Sequence, residues 1–178
     1  MKFSIDYKIQ LGDSEILGTV LEKDVASYRE QLAEISSMTG EFVLHINNKE
    51  APADYADPLI KLADGWLRKL PWIIGGDTET VALRNSAQCF AFVPTGDGVE
   101  ISFFDGDETE IEDYVMDPTN VRLEEFATES IRLGSRLLAL AEAIDANLLE
   151  SDEDCRDLGV SLEEARRAWK EYLVHQRR

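Results

Sequence analysis

The densest set of side chains able to do chemistry is a run of carboxylates, Asp105-Gly106-Asp107-Glu108-Thr109-Glu110-Ile111-Glu112-Asp113. Oxygen ligands at alternate positions are how loops for hard cations begin, and Asp105-x-Asp107-x-Thr109 has that start. An EF-hand loop then needs Gly at its sixth position and Glu at its twelfth. Here those positions are Glu110 and Met116, so the match fails twice. A solvated acidic loop is expected, with no metal and no cofactor; an incidental weak divalent-cation site is the minor alternative. Glycosidase chemistry is no better served. Its two acids need surroundings that push their pKa values apart, and these lie in one continuous charge run.

Other chemistries lack parts. His45 and His175 are the only histidines, and no Cys-x-x-Cys or His-Glu-x-x-His spacing occurs, which leaves zinc without ligands. Ser102 or Cys89 can be paired with His45 on paper, but there is no Gly-x-Ser-x-Gly elbow to hold a nucleophile. Gly75-Gly76 and Gly96-x-Gly98 are turn glycines with no phosphate-binding sequel. Cys89 falls in an apolar strand and Cys155 near the C-terminus, and both are expected as free thiols rather than a disulfide. No catalytic residue is assigned, and the chain reads as a binding protein.

Charge narrows the partner. With 36 acidic and 18 basic residues the formal net charge is −18. Nucleic-acid affinity comes mainly from Lys and Arg neutralising phosphates, so a nucleic-acid partner is excluded, and an anionic membrane surface with it. The charge is uneven: Asp105 to Asp157 carries 17 acids against 4 bases, net −13, whereas Leu158 to Arg178 is net +2. A basic protein partner fits a polarised surface of this kind. The N-terminus shows charge where a signal peptide needs an apolar run. A reduced, cytoplasmic location is therefore expected.

The elements around the acidic run are those of an α+β chain. Phe3, Ile5, Tyr7, Ile9 and Leu11 alternate with polar residues as a half-buried strand, and Ile16 to Leu21 reads as its return, with Gly18 as a bulge. Val25, Tyr28, Leu32 and Ile35 have helical spacing, between an Asp24 cap and a Gly40 stop. Phe42 to Ile46 is a third strand. Asp57-Pro58 then opens a helix as cap and first residue, with Leu59, Leu62, Ala63, Trp66, Leu67 and Leu70 as its stripe and Pro71 as its end. Trp72 reads as a lid over the core, or else a binding hot spot.

Thr80–Leu83, Cys89–Val93 and Val99–Phe104 read as an antiparallel meander at the centre of the sheet. Ile111–Met116 is expected as a short edge strand, followed by a turn at Asp117-Pro118-Thr119-Asn120. A long helix is expected over Leu123–Leu148, with Gly134 kept for a close approach to the sheet or a kink. Ser151–Gly159 reads as a connector, and Ser161-Leu162-Glu163-Glu164 as the capping box of a last helix whose end, His175 to Arg178, frays. The expectation is one α+β domain, residues 1–178, with a single largely antiparallel sheet of six or seven strands and four helices packed on it.

In size, acidity, layout and lack of catalytic signature, the chain resembles the immunity proteins of bacterial polymorphic and contact-dependent toxin systems. The likeness lies chiefly in Ile111 to Leu138, with its strand, Pro turn and Leu123-Glu124-Glu125-Phe126 helix entry. That resemblance implies tight binding to a cognate toxin and blockage of the toxin's active site, and it transfers no individual residues. The expected partner-binding residues are Asp105, Asp107, Glu108, Glu110, Glu112 and Asp113, with Tyr114 as an aromatic anchor. A structural or assembly subunit, and a carboxylate or divalent-metal enzyme without a recognisable motif, are the alternatives.

Overall fold

The computed structural model describes residues 2–176. Two antiparallel sheets meet on one continuous apolar core. In the first, β1 (Phe3–Leu11) buries Phe3, Ile5, Tyr7 and Ile9, as its alternation requires. β2 (Ser14–Leu17) returns beside its second half, through a turn at Gly12 with φ of 60°. β3 (Thr39–Ile46) lies along its other side. The two-residue strands β4 (Lys49–Glu50) and β5 (Asp57–Pro58) complete this five-stranded sheet against β3. The second sheet is a meander of β6 (Glu79–Ala82), β7 (Gln88–Thr95), β8 (Gly98–Gly106) and β9 (Ile111–Arg122), in that spatial order.

The helices are α1 (Gly18–Leu21), α2 (Val25–Tyr28), α3 (Leu59–Gly75), α4 (Leu123–Ile144), α5 (Leu148–Ser151) and α6 (Glu153–Gln176). Helices α3 and α4 touch strands of both sheets as well as each other, and α6 packs on both helices. At the meeting point stands Trp66 of α3. Its ring is edge-on to Phe42 of β3, 5.6 Å away, and to Phe90 and Phe92 of β7, at 5.1 and 4.6 Å. Phe126 of α4 lies 5.9 Å off, and the indole N–H donates to Ser130 Oγ at 2.9 Å.

The expected α+β layout holds, but not the single sheet with four helices. Six helices and two sheets are found among the described residues. The strands before and after α3 form separate ladders instead of pairing. They are tied by polar contacts from the segment leading into α3. Tyr55 accepts the Phe42 N–H at 2.8 Å and packs on Phe90 and Phe103, while buried Asp57 Oδ1 accepts the N–H groups of Arg84 and Asn85 at 2.7 and 2.9 Å. Asp57 therefore caps a loop of the other sheet and not its own helix, whose N-cap is Pro58.

Several boundaries move for similar reasons. The helix expected from Asp24 shrinks to α2 and a 3-10 turn at Ile35–Ser37, since only Leu32 and Ile35 bury fully and burial supplies most helix stability. Gly18 begins α1 instead of forming a bulge, and Gly40 lies inside β3. A Cβ on Gly40 would stand 1.9 Å from the Lys8 carbonyl oxygen. Helix α3 continues through Pro71 to Gly75 because Ile73 is still buried beyond it. β9 runs straight through Pro118, which an edge strand tolerates. The long helix ends at Ile144, and Ser161 lies inside α6 with its hydroxyl on Asp64, so the Ser161–Glu164 box starts nothing. The expected Ser151–Gly159 connector is largely the first two turns of α6. Gly134 faces Leu67 of α3, not a sheet. Of the end expected to fray, His175 and Gln176 are helical, while Arg177 and Arg178 lie outside the described residues.

Removing the acceptor from the central indole tests this account. Ser130→Ala strands a fully buried N–H and is expected to cost about 1–3 kcal/mol, whereas Trp66→Ala opens a cavity costing about 3–5 kcal/mol. Urea unfolding at equal m-value checks both. Equal, small losses would show that Trp66 is not the joint between the sheets.

Candidate functional site

The acidic run occupies the far end of the β8–β9 hairpin. Asp105 and Gly106 close β8, residues 107–110 make the turn, and Ile111 to Tyr114 open β9. The turn is built by Asp107, whose Oδ1 accepts the N–H groups of Thr109 and Glu110 at 2.7 and 3.0 Å and the Thr109 hydroxyl at 2.6 Å. The Thr109 hydroxyl and these two N–H groups hold the Asp107 carboxyl below the usual range, so its negative charge is locked in. Asp105 is half-buried and accepts from the Gln88 side chain at 2.8 Å. Glu108, Glu110, Glu112 and Asp113 are exposed.

None of these six carboxylates has an ion-pair partner among the described residues. Half of the described bases are engaged elsewhere: Lys8, Lys61, Lys69, Arg68, Arg122, Arg132, Arg136 and Arg166 each hold an acid of their own. The register adds what alternation alone could not show, for Asp105 and Asp113 are cross-strand partners. Like charges directly opposite each other destabilise a sheet. That pair therefore adds repulsion, not stability, to the free chain.

Tyr114 lies at this end, 40% exposed and edge-on to buried Phe104 at 6.2 Å, with Ile111 also exposed at 48%. Tyr114 and Phe104 lie on the face of the hairpin opposite the Asp105–Asp113 pair. β9 is an edge strand, paired only with β8, and its register slips three times along that ladder. Bulges, charges and Pro118 are the features that stop an edge from accepting another strand. These features disfavour strand addition at this edge.

The structure brings the six carboxylates and Tyr114 together on one hairpin end. It does not unite the residues considered for catalysis: Ser102 and Cys89 lie on β8 and β7, and His45 on β3 of the other sheet. Both cysteines are buried free thiols. Burial pushes Cys155 up to about 12, with Asp152 and Asp154 adding to the shift, and it raises Cys89 as well. Neither is a ready nucleophile. Among the described residues no group of three His, Cys, Asp or Glu side chains could hold a metal ion. Trp72 is 57% exposed, which corrects its reading as a lid over the core.

A second charged cluster escaped notice in the sequence because its members are far apart. Arg136 of α4 donates to Asp6 of β1 at 2.8 Å and to Glu22 at 2.9 Å, and it lies 5.1 Å over the Tyr7 ring. Burial works against the Asp6 charge, but hydrogen bonds from Arg136, the Tyr7 N–H and Thr19 outweigh it and hold the carboxyl below the usual range. One turn earlier on α4, Arg132 donates to the Ile5 carbonyl and Glu129 accepts the Ile5 N–H, so a salt-bridged pair replaces the missing neighbour strand. A polar cavity of about 360 Å³ lies beside it, lined by Lys2, Ser4, His45, Asn48 and these arginines. With Arg132 and Arg136 already paired to acids, this region reads as the clasp of α4 to β1.

Comparison with models of protein families, with curated proteins and with solved structures finds no match to the chain in any of the three. No helix among the described residues is long and apolar enough to cross a membrane.

The clasp has a defined acid response. The folded carboxyl of Asp6 is depressed, so its stabilisation is complete above the unfolded value, near 3.8, and is lost as pH falls through the folded value. Asp6→Asn should therefore cost about 2 kcal/mol near neutrality, between the values for surface and buried pairs. That difference from the unsubstituted chain should narrow below about pH 3.8. Urea titrations across the acid range check it; a constant difference would remove the clasp from the stability account.

Proposed function

We propose that the chain is a protein-binding module whose β8–β9 end captures a basic protein, and that it acts as an immunity protein by covering the active site of a nuclease-like toxin. The observation that carries this reading is the set of six unpaired carboxylates within nine residues, two of them in like-charge register. A surface of this kind speeds encounter with a basic partner and penalises acidic ones. Tyr114 and Ile111 supply exposed apolar area at the same end of the hairpin, of the kind that anchors interfaces generally. A toxin nuclease must itself be basic where it grips phosphate, so an inhibitor that presents carboxylates competes for the same groups. The resemblance of the Ile111–Leu138 region to immunity proteins points the same way.

The test takes as candidate partner any basic domain encoded by a reading frame adjacent to this one. Stopped-flow mixing should show fast association that slows steeply with salt. Asp107→Asn, Glu108→Gln, Glu110→Gln, Glu112→Gln and Asp113→Asn together should slow it about tenfold or more at low salt and flatten the salt dependence. An unchanged association rate would remove the site assignment, and undiminished nuclease activity in the complex would remove the inhibitor role.

The free chain provides an independent check. Asp113→Asn relieves the repulsion with Asp105 and should raise the melting temperature, more at about 0.01 M salt than at about 1 M, where the charges are screened. A fall in melting temperature would show that Asp113 serves the fold.

A further inference from the structure

The acidic end leaves α6 unexplained. It carries both signs, with 6 acids and 4 bases over Glu153–Gln176, while the whole chain is −18. Along its exposed side Glu153, Arg156, Val160, Glu164 and Arg167 follow one another three or four residues apart, and all five are exposed. That spacing sets them on one stripe about 21 Å long. Among the described residues, Glu153, Glu164 and Arg167 have no ion-pair partner in their own chain.

The order of charges is the informative feature. Read from either end, with acid exchanged for base, the stripe is the same: acid, base, Val, acid, base. Turned antiparallel about Val160, it sets Glu153 against Arg167, Arg156 against Glu164, and Val160 against itself. Each of these four charges then meets its opposite, the self-complementarity a two-fold interface demands, while exposed Asp157 and Glu163 set acid against acid at the rim. Glu163, beside Glu164, falls on the same flank as the facing Arg156.

Two further observations fall on the same side. Val160 is 59% exposed, the most exposed of the large apolar residues. It borders an apolar groove of about 550 Å³ whose walls include Leu138, Leu149, Cys155 and Gly159. Gly159 sits inside a helix, where Gly is the poorest residue after Pro. The interior does not require it: a Cβ there would meet only the Leu138 side chain, at 4.0 Å. The close approach of a second helix does require a residue this small.

We infer that α6 is a homodimer interface, in which two copies of this chain pair antiparallel across Val160 with Gly159 and the groove receiving the facing helix. The acidic hairpin ends play no part in this contact. Two strongly acidic chains can meet here because the stripe sets Glu153 against Arg167 and Arg156 against Glu164.

Charge reversal of one half of the stripe tests the pairing. The full chain should sediment at twice the chain mass. Arg156→Glu with Arg167→Glu leaves the stripe wholly acidic, and Glu153→Arg with Glu164→Arg leaves it wholly basic, so each variant should sediment as a monomer. An equimolar mixture of the two should return to twice the chain mass, a rescue that unfolded protein could not give. A monomeric unsubstituted chain at its highest soluble concentration would overturn the inference. So would variants that stay dimeric alone, or a mixture that stays monomeric.

Discussion

The indole of Trp66 is the contact on which the rest of the structure depends. Two sheets that share no hydrogen-bonded strand pair have to be held by side chains, and Trp66 touches Phe42 of one and Phe90 and Phe92 of the other. Its edge-on geometry suits aromatic quadrupoles, and its polar handle reaches Ser130 on α4, so the same group also positions the second main helix. Tyr55 and Asp57 reinforce the joint by satisfying backbone N–H groups of Phe42, Arg84 and Asn85. A buried N–H without an acceptor is costly, which makes these contacts specific as well as stabilising.

With the core fixed in this way, the charged surfaces follow. β8 is largely buried and carries its hairpin partner β9 as an edge strand, so the turn between them projects with no base placed to neutralise it. The carboxylates are left unpaired there, while near the α4–β1 contact every main charge is matched. The protein thus contains two kinds of acidic cluster. Asp6, Glu22 and Glu129 are internal fasteners, whereas Asp107 to Asp113 are an outward field. The distinction is one of partners within the chain, not of residue type.

Much of the local reading survives in three dimensions. Period-two alternation placed β1, and the apolar runs around Pro94-Thr95-Gly96-Asp97-Gly98 placed β7 and β8 as an antiparallel pair. Where the local reading failed, a contact from a distant segment had decided the outcome. Pro71 does not stop α3 because Ile73 is buried beyond it. Gly40 is a strand residue because Lys8 of β1 comes too close for a side chain. The Ser161 capping box is overridden because α6 is held along its length by α3 and α4.

The candidate surface divides in the same way. Composition and order alone establish that negative charge concentrates after Phe104, that no catalytic or metal motif accompanies it, and that a tyrosine closes the run. These are properties of residues adjacent in the chain. That Asp105 faces Asp113, that Tyr114 rests on Phe104, and that Arg136 joins Asp6 to Glu22 depend on register and on helix placement. Both are set by burial of Phe, Leu and Trp side chains many residues away. Exposed charges are screened over about 10 Å at 0.1 M ionic strength, and only folding brings charges distant in the chain stably within that range.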